Sequence, residues 1–172
     1  ATLGAKCTLL LGPVEGDHAG KNIKVRHFKF FDELKTVALK EIRDGEYDIV
    51  IHTAAVSDYR LKTPFRHKVR SGMGRFVITL TTTPKIINLF KKIDPGLFLV
   101  GFKFDPEATG KKLIEQARKL MRDSRSDLVV ANGTPGGHYK AYVLSREGVC
   151  GPLDSKNQVV KRLIKELTAY YA

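Results

Sequence analysis

The sequence predicts a three-layer α/β fold with a mainly parallel sheet. Short apolar segments alternate with segments whose apolar residues recur at helical spacing, and this alternation continues through all 172 residues. The 42% hydrophobic content and the dispersed charge are typical of a globular chain. We therefore treat residues 1–172 as a single domain, which is long enough to close its own core.

The first half of the chain has the pattern of three strands and one helix. "CTLLLG" and "IKVRHF" are short apolar segments that predict two strands, and "YDIVIHT" has the two-sided apolar character of a central parallel strand. Between them, apolar residues at helical spacing predict a helix over 31–44: Phe31, Leu34, Ala38 and Ile42.

The second half continues the alternation. "RFVITLT", "GLFLVGFKF" and "DLVVAN" predict strands, while "TPKIINLFKKI" and the segment carrying Leu113, Ala117, Leu120 and Met121 predict helices. "YKAYVLS" and "EGVCGPL" predict a β-hairpin, and "NQVVKRLIKELTAYY" predicts a closing amphipathic helix. This order favours a Rossmann-like arrangement that ends in a C-terminal hairpin and helix.

One strand end collects small and polar residues. In sheets of this kind ligands bind beyond the carboxyl ends of the strands, and "DIVIHTAAVSDYR" ends a strand with Ala54, Ala55 and Asp58. Small side chains allow a ring or a phosphate to approach the backbone, and the aspartate can accept hydrogen bonds from a ligand. A tight turn with a solvated aspartate explains the same pattern.

The segment "TTTPKIIN" has the pattern of a helix start. Thr83 is predicted as the N-cap and Pro84 as the first helical residue, so that the N–H groups of Lys85, Ile86 and Ile87 are free to bind an anion. An ordinary capped helix is the alternative.

A basic loop separates these two motifs. The irregular stretch over 61–75 carries Arg66, His67, Lys68 and Arg70, which could close over phosphates or simply be solvated. Phe102 and Asn132 lie at two further strand ends. Phe102 could stack on a base or belong to the core, and Asn132 could contact a ligand or form a turn.

Charge and composition limit the classes of ligand. A net charge of +12 favours anionic partners. We rank small phosphorylated ligands above nucleic acid because the basic residues are scattered over helices and loops, with no aromatic residues interleaved among them in a stacking pattern. The sequence has no apolar run long enough for a bilayer and no signal peptide. Its cysteines and histidines lack metal-ligand spacing, so we expect no metal site built from protein ligands and, by default, a cytoplasmic location.

Taken in order, "AAVSDYR", "KVRSG", "TPKII", "VGFKF" and "DLVVAN" resemble one family through essentially the whole chain. It is the phosphopantothenate–cysteine ligase (phosphopantothenoylcysteine synthetase) family, which often forms the second half of a bifunctional flavoprotein of coenzyme A biosynthesis. The resemblance implies a homodimer and a fused or partner flavin-dependent decarboxylase domain. It also implies that 4′-phosphopantothenate and L-cysteine are joined through an acyl-cytidylate formed from CTP, with Mg²⁺. ATP is the alternative nucleotide, and it would give the corresponding acyl-adenylate.

Residue by residue, the resemblance implies Lys68 as the catalytic cation, which also binds the nucleotide. It places the other nucleotide contacts on His52, Thr53, Ala54, Asp58, Pro84, Lys85, Ile86, Ile87 and Phe102. Ala55 and Asn132 are weaker candidates for substrate binding.

Two departures from the family pattern matter. The resemblance implies that the family's first strand, its loop and part of its first helix are not among these residues, so we do not expect the 172 residues alone to be a complete catalyst. Two family lysines that precede the Ala-Asn strand align with Leu120 and Ser124. Lys119, Arg122 or Arg125 could substitute from a shifted register, so the choice between CTP and ATP stays open.

Two other functions compete with the ligase. "DIVIHTAAVSD" also resembles a strand of short-chain NAD(P)-dependent dehydrogenases, although Tyr59 and Lys62 have the wrong spacing for their Tyr-x-x-x-Lys pair. A basic, non-catalytic binding module is the third interpretation.

Overall fold

The computed structural model describes residues 4–16, 18, 20–63, 65, 67–68, 71–72 and 74–171. Their contacts divide the chain into two compact units. Unit 1 comprises the described residues of Ala1–Val37 and Ala55–Ile86, and unit 2 comprises those of Ala38–Ala54 and Ile87–Ala172. No helix in the described ranges is both long and apolar enough to cross a membrane.

Unit 1 contains two pairs of strands. β1 (Cys7–Leu11) and β2 (Ile23–His27) pair in parallel, as their apolar sequences predict. β4 (Tyr59–Leu61) and β5 (Leu80–Thr82) form a separate antiparallel pair. Sequence reasoning missed β4, and it placed the following strand over 75–81, several residues too early. In the described part of the chain, β4 and β5 pair only with each other and over only three residues, so this contact sets the bounds of both strands. The alternation of "RFVITLT" could not show where that contact begins.

Helix α1 spans Phe31–Asp44, the predicted range. A carboxylate oxygen of Glu33 accepts hydrogen bonds from the backbone N–H groups of Lys29 (2.7 Å) and Phe30 (3.3 Å), which satisfies donors just before the first turn. Leu34 and Ala38 are both buried, in agreement with the predicted apolar stripe.

The centre of unit 2 is a five-stranded sheet in the order β3-β6-β7-β8-β9. Its strands are β3 (Ile49–His52), β6 (Phe98–Phe104), β7 (Leu128–Gly133), β8 (Lys140–Leu144) and β9 (Val149–Leu153). β3, β6 and β7 are parallel, and β8 and β9 add the predicted antiparallel hairpin.

Helices cover both faces of this sheet, so the predicted three-layer α/β architecture is confirmed. On one face, Val159 and Leu163 of α4 (Lys156–Tyr170) pack against Val100 and Val130. On the other face, α3 (Gly110–Ser124) packs Leu113 and Ala117 against alternate strand residues, namely Val129, Ala131 and Leu144. Alternation along β7 therefore sends successive side chains into opposite layers.

Strand β3 differs from the central strand that its sequence predicts. Among the described residues it pairs only with β6, so it forms an edge of the five-stranded sheet. Ile49 and Val50 are half-buried and Ile51 is 48% exposed. An apolar run does not by itself distinguish a central strand from an edge strand, because pairing partners are chosen by the tertiary fold.

Candidate functional site

Unit 2 brings three predicted residues to the carboxyl ends of neighbouring parallel strands. His52 is the last residue of β3 and lies opposite Gly101 of β6. On β6, Phe102 pairs with Val130 of β7, and Phe104 pairs with Asn132. These strand ends form the edge at which parallel α/β sheets bind ligands.

The His52 imidazole packs against an aromatic ring of α2 (Ile87–Ile93). Its centroid lies 5.7 Å from that of Phe90, with the ring planes 72° apart in an edge-to-face arrangement. Burial lowers the pKa of His52 below 6.5, because the charged form loses its hydration. A neutral imidazole at the end of β3 offers one donor and one acceptor to a ligand.

Gly101 allows α2 and α3 to lie close to β6. A Cβ atom at this position would be 3.0 Å from Cδ1 of Ile87 and 3.3 Å from both Cδ2 of Leu120 and Oγ of Ser126. A side chain at the glycine of "VGFKF" would therefore press on Ile87, one of the predicted nucleotide contacts, and on the residues of α3 and the segment after it.

The ring of Phe102 is held mainly by packing against the hydrophobic core. Its half-buried ring packs against the apolar cluster on the α4 side of the sheet. Phe104, on the same strand and the same face, is 56% exposed. Sequence reasoning named the first ring and missed the second, although strand alternation together with the end of the apolar run was a signal that could have found it.

Asp105 directly follows β6 and organises the turn that leads to α3. Its Oδ1 accepts hydrogen bonds from the N–H groups of Glu107 (3.2 Å) and Ala108 (3.1 Å), and its Oδ2 accepts one from Nε2 of Gln116 (2.7 Å). The bond from Gln116, with smaller contributions from the turn N–H groups and the Lys112 ammonium, holds the pKa of Asp105 below its usual value. This carboxylate was also missed, since an aspartate after a strand has no sequence signal that distinguishes it from an ordinary turn.

The ends of β6 and β7 are fastened together at this turn. The N–H of Asp105 donates to the carbonyl oxygen of Asn132 over 3.0 Å. A side chain at Gly133 would collide with the carbonyl oxygen of Asp105, so the close approach of the two strands requires glycine there. Phe104 and Asn132 are thus held on adjacent strands by a rigid junction.

Unit 1 contains the predicted Asp58 and the residues that follow β5. The N–H of Thr83 donates to the carbonyl oxygen of Asp58 (2.9 Å), and its hydroxyl donates to that of Ser57 (2.5 Å). These two bonds place Asp58 close in space to Thr83 and hence to Pro84.

The predicted helix start at Thr83 and Pro84 is wrong. α2 begins at Ile87, so Pro84, Lys85 and Ile86 lie before the helix. Thr83 does not cap it, because Ile87 lies four positions further on. The N–H and hydroxyl of Thr83 instead extend the pairing of β5 with the segment before β4. Pro84 and Lys85 are exposed and Ile86 is buried.

The remaining candidates are on the surface of their units. Thr53 and Ala54 in unit 2 are exposed, and so are Ala55, Asp58 and Lys68 in unit 1. His67 is also exposed, while Arg66 and Arg70 lie outside the described residues. Convergence of the candidates from the two units on one ligand stays a prediction.

Leu120 and Ser124, which align with the two family lysines, both contribute to the packing of unit 2. Leu120 is half-buried in α3, and Ser124 is buried with its hydroxyl donating to the carbonyl oxygen of Leu120 over 2.7 Å. A charged side chain at Ser124 would lie in the core. Within the described part of the chain, His, Cys, Asp and Glu form no group of three that could hold a metal ion.

Three layers around a mainly parallel sheet, with polar and aromatic residues at its carboxyl edge, define an α/β protein of the class that binds ligands beyond its strand ends. The sequence identifies the group within this class. The chain belongs to the DNA/pantothenate metabolism flavoprotein C-terminal domain family, which it matches over residues 1–171. The predicted family is thereby confirmed.

Named relatives agree with this membership. The coenzyme A biosynthesis bifunctional protein CoaBC of Thermococcus kodakarensis is 43% identical over 101 residues, which are 59% of this chain and 25% of that protein. Phosphopantothenate–cysteine ligase 1 of Oryza sativa subsp. japonica is 27% identical over 122 residues, 69% of this chain and 37% of that protein. The chain thus spans between a quarter and two-fifths of the length of these relatives.

A solved structure has the same fold. The DNA/pantothenate metabolism flavoprotein from Streptococcus pneumoniae superimposes with a TM-score of 0.85 at 23% identity, covering 98% of this chain and 83% of that one. The match extends beyond the central sheet to nearly all of the chain.

Proposed function

We propose that this chain is the ligase part of a coenzyme A biosynthesis enzyme and joins 4′-phosphopantothenate to L-cysteine. The observation that carries the proposal is the family match over residues 1–171, supported by relatives named for coenzyme A biosynthesis and for phosphopantothenate–cysteine ligation. The formal charge of +12 suits phosphorylated substrates.

The proposed reaction has two steps. The carboxylate of phosphopantothenate attacks the α-phosphate of CTP, giving an acyl-cytidylate and releasing pyrophosphate. The amine of cysteine then attacks the activated carbonyl and displaces CMP, forming the amide of 4′-phospho-N-pantothenoylcysteine. Both steps develop negative charge on phosphate or carbonyl oxygens, and fixed cations and N–H donors stabilise such charge.

In this proposal the residues divide by role. Lys68 supplies the cation, and its exposure on the described structure leaves the ammonium accessible to an incoming phosphate. His52 and Phe102 contribute from the carboxyl edge of the sheet, while Asp58 and Lys85 contribute from the segments joined through Thr83. Ala55 and Asn132 are the weaker substrate contacts.

The nucleotide and the metal belong to the proposal as well. CTP is the expected triphosphate, with ATP as the alternative. Mg²⁺ is held largely by nucleotide phosphates in sites of this kind and needs only one or two protein oxygens, of which the exposed Asp58 carboxylate is a candidate. When bound, the ion would neutralise charge on the triphosphate.

We further propose a cytoplasmic homodimer with a fused or partner flavin-dependent decarboxylase domain, acting on small molecules rather than on nucleic acid or membranes. The bifunctional relatives favour the fused arrangement. Size-exclusion chromatography with light scattering would test the dimer. The dehydrogenase and basic-module interpretations find no support among the named relatives.

The reaction itself is the decisive test. The longest natural polypeptide containing this sequence would be incubated with phosphopantothenate, cysteine, Mg²⁺ and each nucleoside triphosphate in turn. We expect amide product and nucleoside monophosphate in equal amounts, with CTP best. Oxidation of NAD(P)H without triphosphate consumption, or tight RNA binding without turnover, would replace the ligase with one of the alternatives.

Lys68→Gln tests the catalytic assignment. Loss of one charge-stabilising group typically lowers kcat by about 10²–10³, and the exposed position predicts an unchanged fold. Lys62→Gln is the matched control, because Lys62 is also exposed and lies six positions earlier. Equal activity of the two variants would remove Lys68 from the mechanism.

A further inference from the structure

We propose that the nucleotide base stacks on the ring of Phe104, two residues beyond the predicted Phe102, and that the side-chain amide of Asn132 faces the edge of that base. The inference rests on the proposed function and names the part of unit 2 that would recognise the base. Both residues belong to the carboxyl edge of the sheet.

The two rings on β6 differ in how far they are buried. Phe98, Val100, Phe102 and Phe104 alternate onto one face of the strand. Exposure rises along this row: Phe98 and Val100 are buried, Phe102 is half-buried against the core, and Phe104 is 56% exposed. Phe104 is therefore the ring that offers a largely free face at the edge where ligands bind.

A neighbouring polar group distinguishes Phe104 from an ordinary exposed ring. Single apolar side chains are common on protein surfaces and need no ligand to explain them. Phe104, however, is the register partner of Asn132 on the adjacent strand, about 4.8 Å away in the direction of the backbone hydrogen bonds. Within the described residues, the side-chain amide of Asn132 makes no hydrogen bond, so its donor and its acceptor are both available.

Backbone hydrogen bonds join the two strand ends that carry Phe104 and Asn132. The N–H of Asp105 donates to the carbonyl oxygen of Asn132 (3.0 Å), and the N–H of Thr134 donates to that of Pro106 (3.1 Å). These bonds hold the backbones of the two strand ends side by side, so the positions from which the ring and the amide project are set before a ligand arrives. A flat ring beside an amide suits a nucleobase, which offers a π-face for stacking and an edge with hydrogen-bonding groups.

A tryptophan reporter tests this directly, because the chain contains no tryptophan. In Phe104→Trp the single indole would stack on the base, so we expect CTP to quench and shift its fluorescence while tripolyphosphate, which has no base, does not. Val149→Trp is the control, since Val149 is 40% exposed and lies opposite Leu144, which pairs with Val129 near the amino end of β7. Its fluorescence should not respond to CTP.

Affinity measurements complete the test. By isothermal titration calorimetry, Phe104→Ala should weaken CTP binding roughly 5- to 150-fold, the range observed for removal of a base-stacking ring, whereas Phe104→Tyr should bind like the wild type. CTP binding with an unaltered Phe104→Trp signal and an unweakened Phe104→Ala variant would overturn the inference and leave the proposed function intact. Absence of binding of both CTP and ATP by the wild-type protein would overturn both.

Discussion

Gly101→Ala tests whether close packing at the glycine of "VGFKF" sets the position of α2. The added Cβ would lie 3.0 Å from Cδ1 of Ile87 and 3.3 Å from Leu120 and Ser126. Overpacking of this kind costs about 1–3 kcal/mol. Alanine is better than glycine within a strand by about 0.5–1 kcal/mol, which offsets part of that cost. We therefore expect the free energy of unfolding to fall by about 1 kcal/mol, within a range of about 0–2.5 kcal/mol.

The nearest contact provides a rescue. Ile87→Val deletes the Cδ1 atom that the new methyl group would meet, and alone it should cost about 0.5–1.5 kcal/mol. The double variant should be more stable than the sum of the single effects predicts, by at least about 0.5 kcal/mol. Urea unfolding followed by far-UV circular dichroism measures all three variants.

Gly148→Ala is the matched control, because a Cβ atom at Gly148 would meet nothing within 4 Å. It should change stability by less than about 0.5 kcal/mol. Tight packing of Gly101 against Ile87 is refuted if the effects of Ile87→Val and Gly101→Ala are simply additive.

Two further predictions concern groups near the sheet. Burial lowers the pKa of His52, so its contribution to stability is present above about pH 6.5 and is lost as the pH falls through the lowered folded-state value. Urea titrations between pH 7.5 and about pH 5 should show a steeper loss for the wild type than for His52→Gln, and parallel curves would contradict this. Lys91 and Asp127 form a largely buried ion pair at 2.7 Å, and Asp127 also accepts the Leu99 N–H at 2.8 Å. Lys91→Met should destabilise the protein by about 3 kcal/mol, the low end for a buried pair, because Asp127 keeps the Leu99 N–H as a partner. Asp127→Asn in the same chain should recover part of that loss, and a double-mutant cycle with no coupling would contradict this.

Local pattern was sufficient for the elements whose apolar residues face one continuous core. The helix over 31–44 was predicted at its observed bounds, and the hairpin and closing helix were placed within a residue or two. These segments carry strong periodicity and clear end signals, so neighbouring residues suffice to define them.

Pattern failed where a distant partner decides the structure. Thr83 and Pro84 have the composition of a helix start, yet hydrogen bonds from Thr83 to Ser57 and Asp58 continue the strand pairing and delay the helix to Ile87. These bonds join residues about 25 positions apart, and propensity contains no information about such contacts.

The same distinction applies to the candidate site. The sequence by itself determined the fold class, the family resemblance and the choice of His52, Phe102 and Asn132 as residues at strand ends. Only the tertiary structure decided that Phe102 packs against the core while Phe104 is exposed beside Asn132. Alternation assigns each side chain to a face of its strand, but burial depends on how far the opposing helix covers that face, which is a property of the packed molecule.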